Sequence, residues 1–541
     1  MASTSRVLLL LCLVSLSAPA IARQEHQHAA GQLGTVNFET TCAPAAKEPF
    51  NHAMALLHSF EFGPAIESFN AALKADAGCA MAHWGIAMAR WTNPFNLAAR
   101  PPQQVQTGLD AIVKAREVGA KSEREKAYID AAARLFTDAS TLDQRTRIVA
   151  YEKAMGAVAA AYPKDREASI FWALSLTASA LPGDKTYANQ LKAGALLEKL
   201  YPQATDHPGI THYIIHSYDV PALADKAIAA ARRYAKIAPA APHALHMPSH
   251  TFTRVGAWQD SIETNRASAD AARKANARGE ELHAMDYMAY AYLQTGQDKA
   301  VRDLIDSIPE IAKAYDPAAI QGAASGPAGN YAMSAIPARW VLEHRDWKAA
   351  ASLRPARQLS RVPYTDAITL FAKALGLAHT GGLDEAREWV AALNDIQGRL
   401  IQANETYWAE QVGIQHDAAA AFLALAEGKA DEALKLMRAT VTREDATEKS
   451  AISPGPLAPA RELLGEMLLQ MKQPAQALVE FQATMKKEPN RFRGVYGAAK
   501  AASLAGDKAK ARQYYTQLLD ICKRADAPGR PELLEARAFV K

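Results

Sequence analysis

The sequence predicts an all-α chain, a superhelix (solenoid) of about twelve helix hairpins. Three observations predict it. First, a block recurs at a spacing of 34 residues: Pro208, His212 and His216 align with Pro242, His246 and His250. Second, Gly and Pro fall mostly between Ala-rich helical runs, not within them. Third, strand-like alternation is nearly absent. A period of this length marks stacked supersecondary units, each of which buries its apolar face only against its neighbours.

The chain has 541 residues, 49% hydrophobic, 22% charged and 7% aromatic. That composition excludes a disordered or fibrous chain. The net charge of +4 comes without a dense basic run, so nucleic acid is not an expected partner. Residues 1–22 read as a signal peptide: Arg6 is the positive start, Val7 to Leu16 the apolar stretch, and Ala20-Ile21-Ala22 the cleavage pattern. That stretch is well short of the roughly 20 residues that span a bilayer. Leu11 before Cys12 argues against a lipid anchor. The expectation is a periplasmic or secreted protein with no membrane insertion once the signal is removed.

In order along the chain, residues 23–40, with His26 and His28, read as a flexible leader. Residues 41–205 read as N-terminal helical repeats, opened by the run Phe60 to Ala72. Residues 206–315 are the central His-rich units. Residues 316–330 form a loop, marked by Gly322, Gly326, Pro327 and Gly329. Residues 331–541 hold the C-terminal units. There, Gly381-Gly382, Gly428 and Gly506 each sit at a reversal between helices, and Pro454-Gly455-Pro456 marks a second loop.

These segments resemble the tetratricopeptide repeat, a helix pair with small residues where helices cross. Leu56-Leu57-His58-Ser59-Phe60, Cys79 to Gly85, Pro242 to His250 and Pro489 to Arg493 are similar to a subfamily of exported bacterial members with no assigned biochemistry. The resemblance implies that the first helix of each pair lines a concave groove. Counting the turn Gly as position fifteen, the second, fifth and ninth residues face that groove. With Gly256 as the turn these are His243, His246 and His250; one repeat earlier they are Gly209, His212 and His216; with Gly296 they are His283, Asp286 and Tyr290. In this register Cys42 and Cys79 precede the first helices of neighbouring units, 37 residues apart, and are expected to form a disulfide. Cys522 is left as a buried thiol.

Six of the nine groove positions are His, and a seventh is Asp286. His residues four apart share a helical face, and their imidazoles can converge on one cation. A nitrogen and oxygen set without thiolate suits a transition metal, Zn, Cu or non-haem Fe, without choosing among them. Because neutral imidazole is the ligand, binding should weaken as pH falls through about 6.5. Plainer roles compete: a lone groove His usually faces water, a buried one is usually hydrogen-bonded, and imidazoles also recognise organic ligands or peptides. Pro248, between His246 and His250, should kink that helix.

Farther along, Arg339, Arg493 and Lys500 form a secondary basic groove for an anionic group, or else are solvated charges. Asp206, Tyr218 and Asp219 can orient imidazoles from behind, or serve as caps and turns. His58 and His83 fall at packing positions, and His52 and Trp84 lie in the same first two units. Lys, Arg and Asn clamps for peptide C-termini are replaced by His in the centre. No His-Glu-x-x-His, phosphate-binding Gly loop or Cys-x-x-Cys is present. Three functions stay open: a binding protein for a metal ion or small polar ligand, a protein-interaction scaffold without metal, or a metal-dependent oxidase, oxygenase or hydrolase using the same cluster.

Overall fold

The computed structural model describes residues 32–96, 99–324, 326–354 and 362–541. The signal segment, His26 and His28 lie outside the described residues. Among the described residues there are 26 α-helices and no strand. Twelve helix pairs follow one another, from Lys47–His58 with Phe62–Ala75 to Phe492–Leu504 with Lys508–Ile521, and Pro531–Val540 caps the end. The chain is therefore a tetratricopeptide-like α-α superhelix. In one pair the first helix is split into Pro242–His246 and Pro248–Arg254.

Small residues set how closely the helices approach. A Cβ on Gly85 would stand 2.3 Å from the Phe69 ring, and one on Gly497 would stand 2.3 Å from Phe481. Interiors packed at crystal density leave no room for that methyl group. At the hairpin reversal after Arg278–Thr295, Gly296 takes φ +68°, a conformation that glycine adopts without steric cost.

Two expectations need correction. The segment read as a flexible leader is packed from residue 32 on: Leu33, Val36 and Phe38 are buried, and the Phe38 ring meets Phe50, Trp84 and Tyr128 at 5.3–5.7 Å. Its apolar residues have a core to enter, which composition alone did not reveal. The loop read as 316–330 is shorter, because helix Gly326–His344 starts inside it. Pro327 is preorganised for a first helical turn, and Gly329 leaves space for the Tyr315 ring. The rest of that segment is a strap to the first hairpins: Gly63 N donates to Gln321 O (2.8 Å) and Asn93 Nδ2 to Ala323 O (3.1 Å).

The superhelix also returns on itself. Trp258 Nε1 donates to Asn490 O at 2.7 Å, Phe492 N to Gln294 Oε1 at 2.9 Å, and Lys449 pairs with Asp219 at 3.2 Å. The loop around Pro454-Gly455-Pro456 is held inside: Tyr287 Oη donates to Ala451 O and Ser453 O at 3.1 Å, and Arg339 donates to Ser453 Oγ and Gly455 O at 3.1 Å. Beside the central His helices, the face expected to be an open groove is thus covered by the chain's own segment around Lys449 to Pro456.

Cys42 and Cys79 form a disulfide across 37 residues of sequence, and Cys522 is free and buried. The bond closes the first hairpin against the second, where the array has a neighbour on one side only. Replacing both residues by Ser is expected to cost about 2–4 kcal/mol of stability, chiefly by releasing the unfolded chain. Urea unfolding followed by tryptophan fluorescence checks this; an unchanged midpoint contradicts it.

Candidate metal centre

Three first helices bring the six His residues together. Pro208–Ser217 carries His212 and His216; its N-cap is His207, whose Nδ1 accepts from Ile210 N at 3.4 Å. The broken helix carries His243, His246 and His250. Arg278–Thr295 carries His283. All six rings are between 0 and 7% exposed. Gly209 occupies a groove position without a side chain because the His58 ring is there: a Cβ would lie 2.5 Å from His58 Nδ1.

The six rings fall into two groups, His212 with His216 and His243, and His246 with His250 and His283. In each group one ligand nitrogen per residue lies within 4.8 Å of the others. The groups adjoin, with ring centroids 5.8 Å apart for both His216–His250 and His243–His246. Pro248 does not separate its neighbours: Met247 keeps helical angles (φ −53°, ψ −36°), and the Nε2 atoms of His246 and His250 face each other at 3.0 Å.

That contact has an unusual electronic structure. His246 Nδ1 donates to Asn265 Oδ1 at 2.6 Å, since Asn265 Nδ2 is itself donating to Ser261 O at 2.7 Å. His250 Nδ1 donates to Asp219 Oδ2 at 2.8 Å. A neutral imidazole has one N–H, so both Nε2 atoms present lone pairs to each other. The Tyr287 hydroxyl is farther from His250 Nε2, at 3.4 Å, and has two carbonyls nearer. Two nitrogens sharing a tetrahedral zinc at about 2.0–2.1 Å stand roughly 3.3 Å apart, close to the spacing seen.

The first group shows the same pattern. His212 Nδ1 donates to His58 O at 2.7 Å, which fixes the tautomer and turns a bare Nε2 inward. That Nε2, His216 Nε2 and both nitrogens of His243 are buried without a hydrogen-bond partner among the described residues, as is His283 Nδ1. Buried polar atoms left unpaired cost about 1–3 kcal/mol each, so such a concentration calls for an explanation. A third cluster provides the contrast. His58 Nε2 and His207 Nε2 donate to the two oxygens of Glu167, each at 2.9 Å, and His58 Nδ1 meets Tyr213 Oη at 3.0 Å. Burial disfavours the Glu167 charge, but the two imidazoles outweigh it and hold the carboxyl below its ordinary range. This cluster is satisfied by its own protons.

Asp286 is not brought to the imidazoles. It bonds Arg339 Nε at 2.8 Å. On its helix it lies on the opposite flank of His283 from Tyr287, facing the next hairpin, and Tyr287 takes the place beside the imidazoles. The basic positions are likewise held internally: Arg339 by Asp286 and the inserted loop, Arg493 by Glu343 O (2.5 Å) and Glu532 (2.8 Å), Lys500 by Glu535 (2.9 Å). Tyr290 lies with Arg339 and Arg491 over its ring at 5.0 and 5.4 Å. Tyr218 Oη turns to Glu198, and Asp206 offers its carbonyl to Thr35 N. Asp219 does orient an imidazole, that of His250, and is also bonded by Arg254 Nε (2.9 Å) and Lys449. Asn265, Tyr287 and Lys449 were not foreseen. Tyr287 stands four residues after His283, a signal that was available; Lys449, 230 residues from Asp219, had none.

No known protein family matches the chain, and no curated protein matches it. Solved structures that overlap it include the human IFIT1 dimer with m7Gppp-AAAA (11% identity, 83% of this chain and 90% of that one, TM-score 0.36). Another is the APC/C hetero-tetramer Cut9-Hcn1 (10% identity, 93% and 78%, TM-score 0.37). At those scores the overlaps add nothing to the fold argument, which rests on the helix pairing itself. Stacked hairpins offer extended surfaces of the kind other proteins bind.

Burial first, then neighbouring imidazoles, depress the ring pKa values: His212 and His283 to about 3, with His216, His243 and His246 well below the ordinary 6.5. All are neutral at pH 7. As pH falls from 6.5 to about 3 the unfolded chain binds more protons at these rings than the folded one, so their share of stability is lost. Glu61 and Glu280, pushed up by burial to about 8 and 7, act in the opposite sense. The decisive quantity is therefore a difference. Between pH 6.5 and 4.5 the metal-free wild type is expected to lose more thermal midpoint than a His212→Gln, His243→Gln variant; parallel curves contradict the assignment.

Proposed function

We propose that this is an exported protein that binds two transition-metal ions, one in each three-imidazole group, inside its superhelix. The observation that carries the reading is the approach of the His246 and His250 lone pairs at 3.0 Å, with each Nδ1 hydrogen already engaged by Asn265 or Asp219. A cation between them turns a repulsive contact into a bonding one. His212 is prepared in the same way by the His58 carbonyl, as metal-bound imidazoles usually are by an outer partner. The set of imidazoles suits Zn, Cu or Fe. The disulfide and the signal-like segment 1–22 support an oxidising compartment outside the cytoplasm.

The second reading is an interaction scaffold without metal, which the helical-repeat fold favours. It would have to use surfaces other than the central His helices, which the chain's own loop covers. It also leaves the unpaired imidazole nitrogens without a reason. The enzyme reading shares the metal sites and needs a position for substrate.

Elemental analysis separates these. Metal-free protein dialysed against Zn(II) or Cu(II) is expected to retain two equivalents. A His212→Ala, His243→Ala variant should keep one, and so should a His246→Ala, His250→Ala variant. A His58→Ala, His207→Ala variant should keep two. Wild type that retains no metal overturns the proposal, and loss of metal from the His58 variant places the site elsewhere.

A further inference from the structure

A three-imidazole centre leaves a coordination position open when the metal is four-coordinate. The ligands of both groups are neutral, so bound divalent ions bring positive charge into a dry interior, where an uncompensated ion is costly. Asp219 is already bonded to His250, Arg254 and Lys449, and Glu448 to Lys185 and Tyr187. Glu61 accepts from the His243 amide at 3.2 Å and Glu280 from the Ala324 amide at 2.5 Å, and neither belongs to a ligand group. Neither imidazole group has a carboxylate among its ligands, so an anion from outside would offset the charge of the ion directly.

A cavity adjoins the first group at His216. It has a volume of about 120 Å³ and is lined by Phe95, His216, Asp219, Tyr407, Glu448 and Lys449, among others. His216 is the most exposed of the six rings, at 7%, and its buried Nε2 has no partner among the described residues. Phe95 stacks on it at 4.0 Å and fixes the plane of the ring. Lys449, 3.2 Å from Asp219 on the same wall, adds an ammonium group that can donate to an entering oxygen or nitrogen.

Building on the two-metal reading, we propose that this cavity binds a small monovalent anion, which completes the coordination of the metal held by His212, His216 and His243. Hydroxide formed from cavity water and an entering carboxylate are the two sources of that chemistry. An anion-exchangeable position of this kind is what separates a reactive metal centre from a purely structural one. Ala180 and Leu181 form part of the cavity wall away from the imidazoles; Ala180 is half-buried and Leu181 is 54% exposed, so larger side chains there obstruct the cavity with little cost to folding.

The test uses full-length protein loaded with Co(II), whose visible spectrum reports coordination, titrated with sodium azide and separately with acetate and with pH. A saturable spectral change with azide is expected, and Ala180→Trp and Leu181→Trp should each weaken it tenfold or more at unchanged cobalt content. A response to acetate at constant pH identifies carboxylate as a ligand, and a pH-dependent spectrum that azide abolishes identifies hydroxide; either supports the proposal. Full cobalt loading without an azide response, or equal azide affinity in both variants, overturns it while leaving the two-metal reading intact. Failure to take up cobalt, zinc or copper overturns that reading, and this one with it.

Discussion

One rule of imidazole chemistry governs the centre of this molecule: a neutral ring has a single N–H, so each ring must face one acceptor and one donor or cation. In the cluster around Glu167 the rule is met entirely within the protein. In the two three-imidazole groups it is met on one edge of His212, His246 and His250, and on neither edge of His243. Asn265, Asp219 and the His58 carbonyl take the hydrogens of His246, His250 and His212, and the lone pairs are gathered toward one another. The fold thus arranges imidazole acceptors that, the long Tyr287 contact to His250 aside, no group among the described residues donates to.

The second constraint is closure. A superhelix of hairpins ordinarily offers its concave face to a partner. Here the loop around Pro454-Gly455-Pro456 covers that face at the central helices, and the final hairpins close on their ends, so rings that repeat register assigns to a groove are in an interior. Burial depresses their proton affinity, which keeps them in the ligand form well below neutral pH, and makes any charge they hold expensive. Both consequences follow from the packing of Lys449 and the loop against the central helices, and neither is a property of the His residues alone.

Much of this was legible in the sequence because it is local and periodic. The 34-residue offset of His212 and His216 from His246 and His250 set four rings on neighbouring first helices, where the structure has them, though buried and not in an open groove; the same register paired Cys42 with Cys79. The register failed at Asp286 because facing is decided by the next hairpin, where Arg339 waits, and not by position within the unit. Arg493 and Lys500 looked like free charges because Glu343, Glu532 and Glu535 lie on other helices. The leader looked mobile because its few apolar residues form no pattern of their own; Phe38 is ordered by Phe50, Trp84 and Tyr128, which the sequence gives no way to join to it. What could not be read was every contact made across the closed face.

The tie between Asp219 and Lys449 has a consequence for how the molecule is made. Hairpin stacking proceeds between neighbours and can begin while synthesis is still under way. The wall that backs His250 is finished only when a segment 230 residues downstream has arrived. Contacts of such long sequence separation form late, after their loop-closure entropy has been overcome. The imidazoles of the nascent chain therefore stay an unassembled set until the last hairpins dock, and the centre is completed only then.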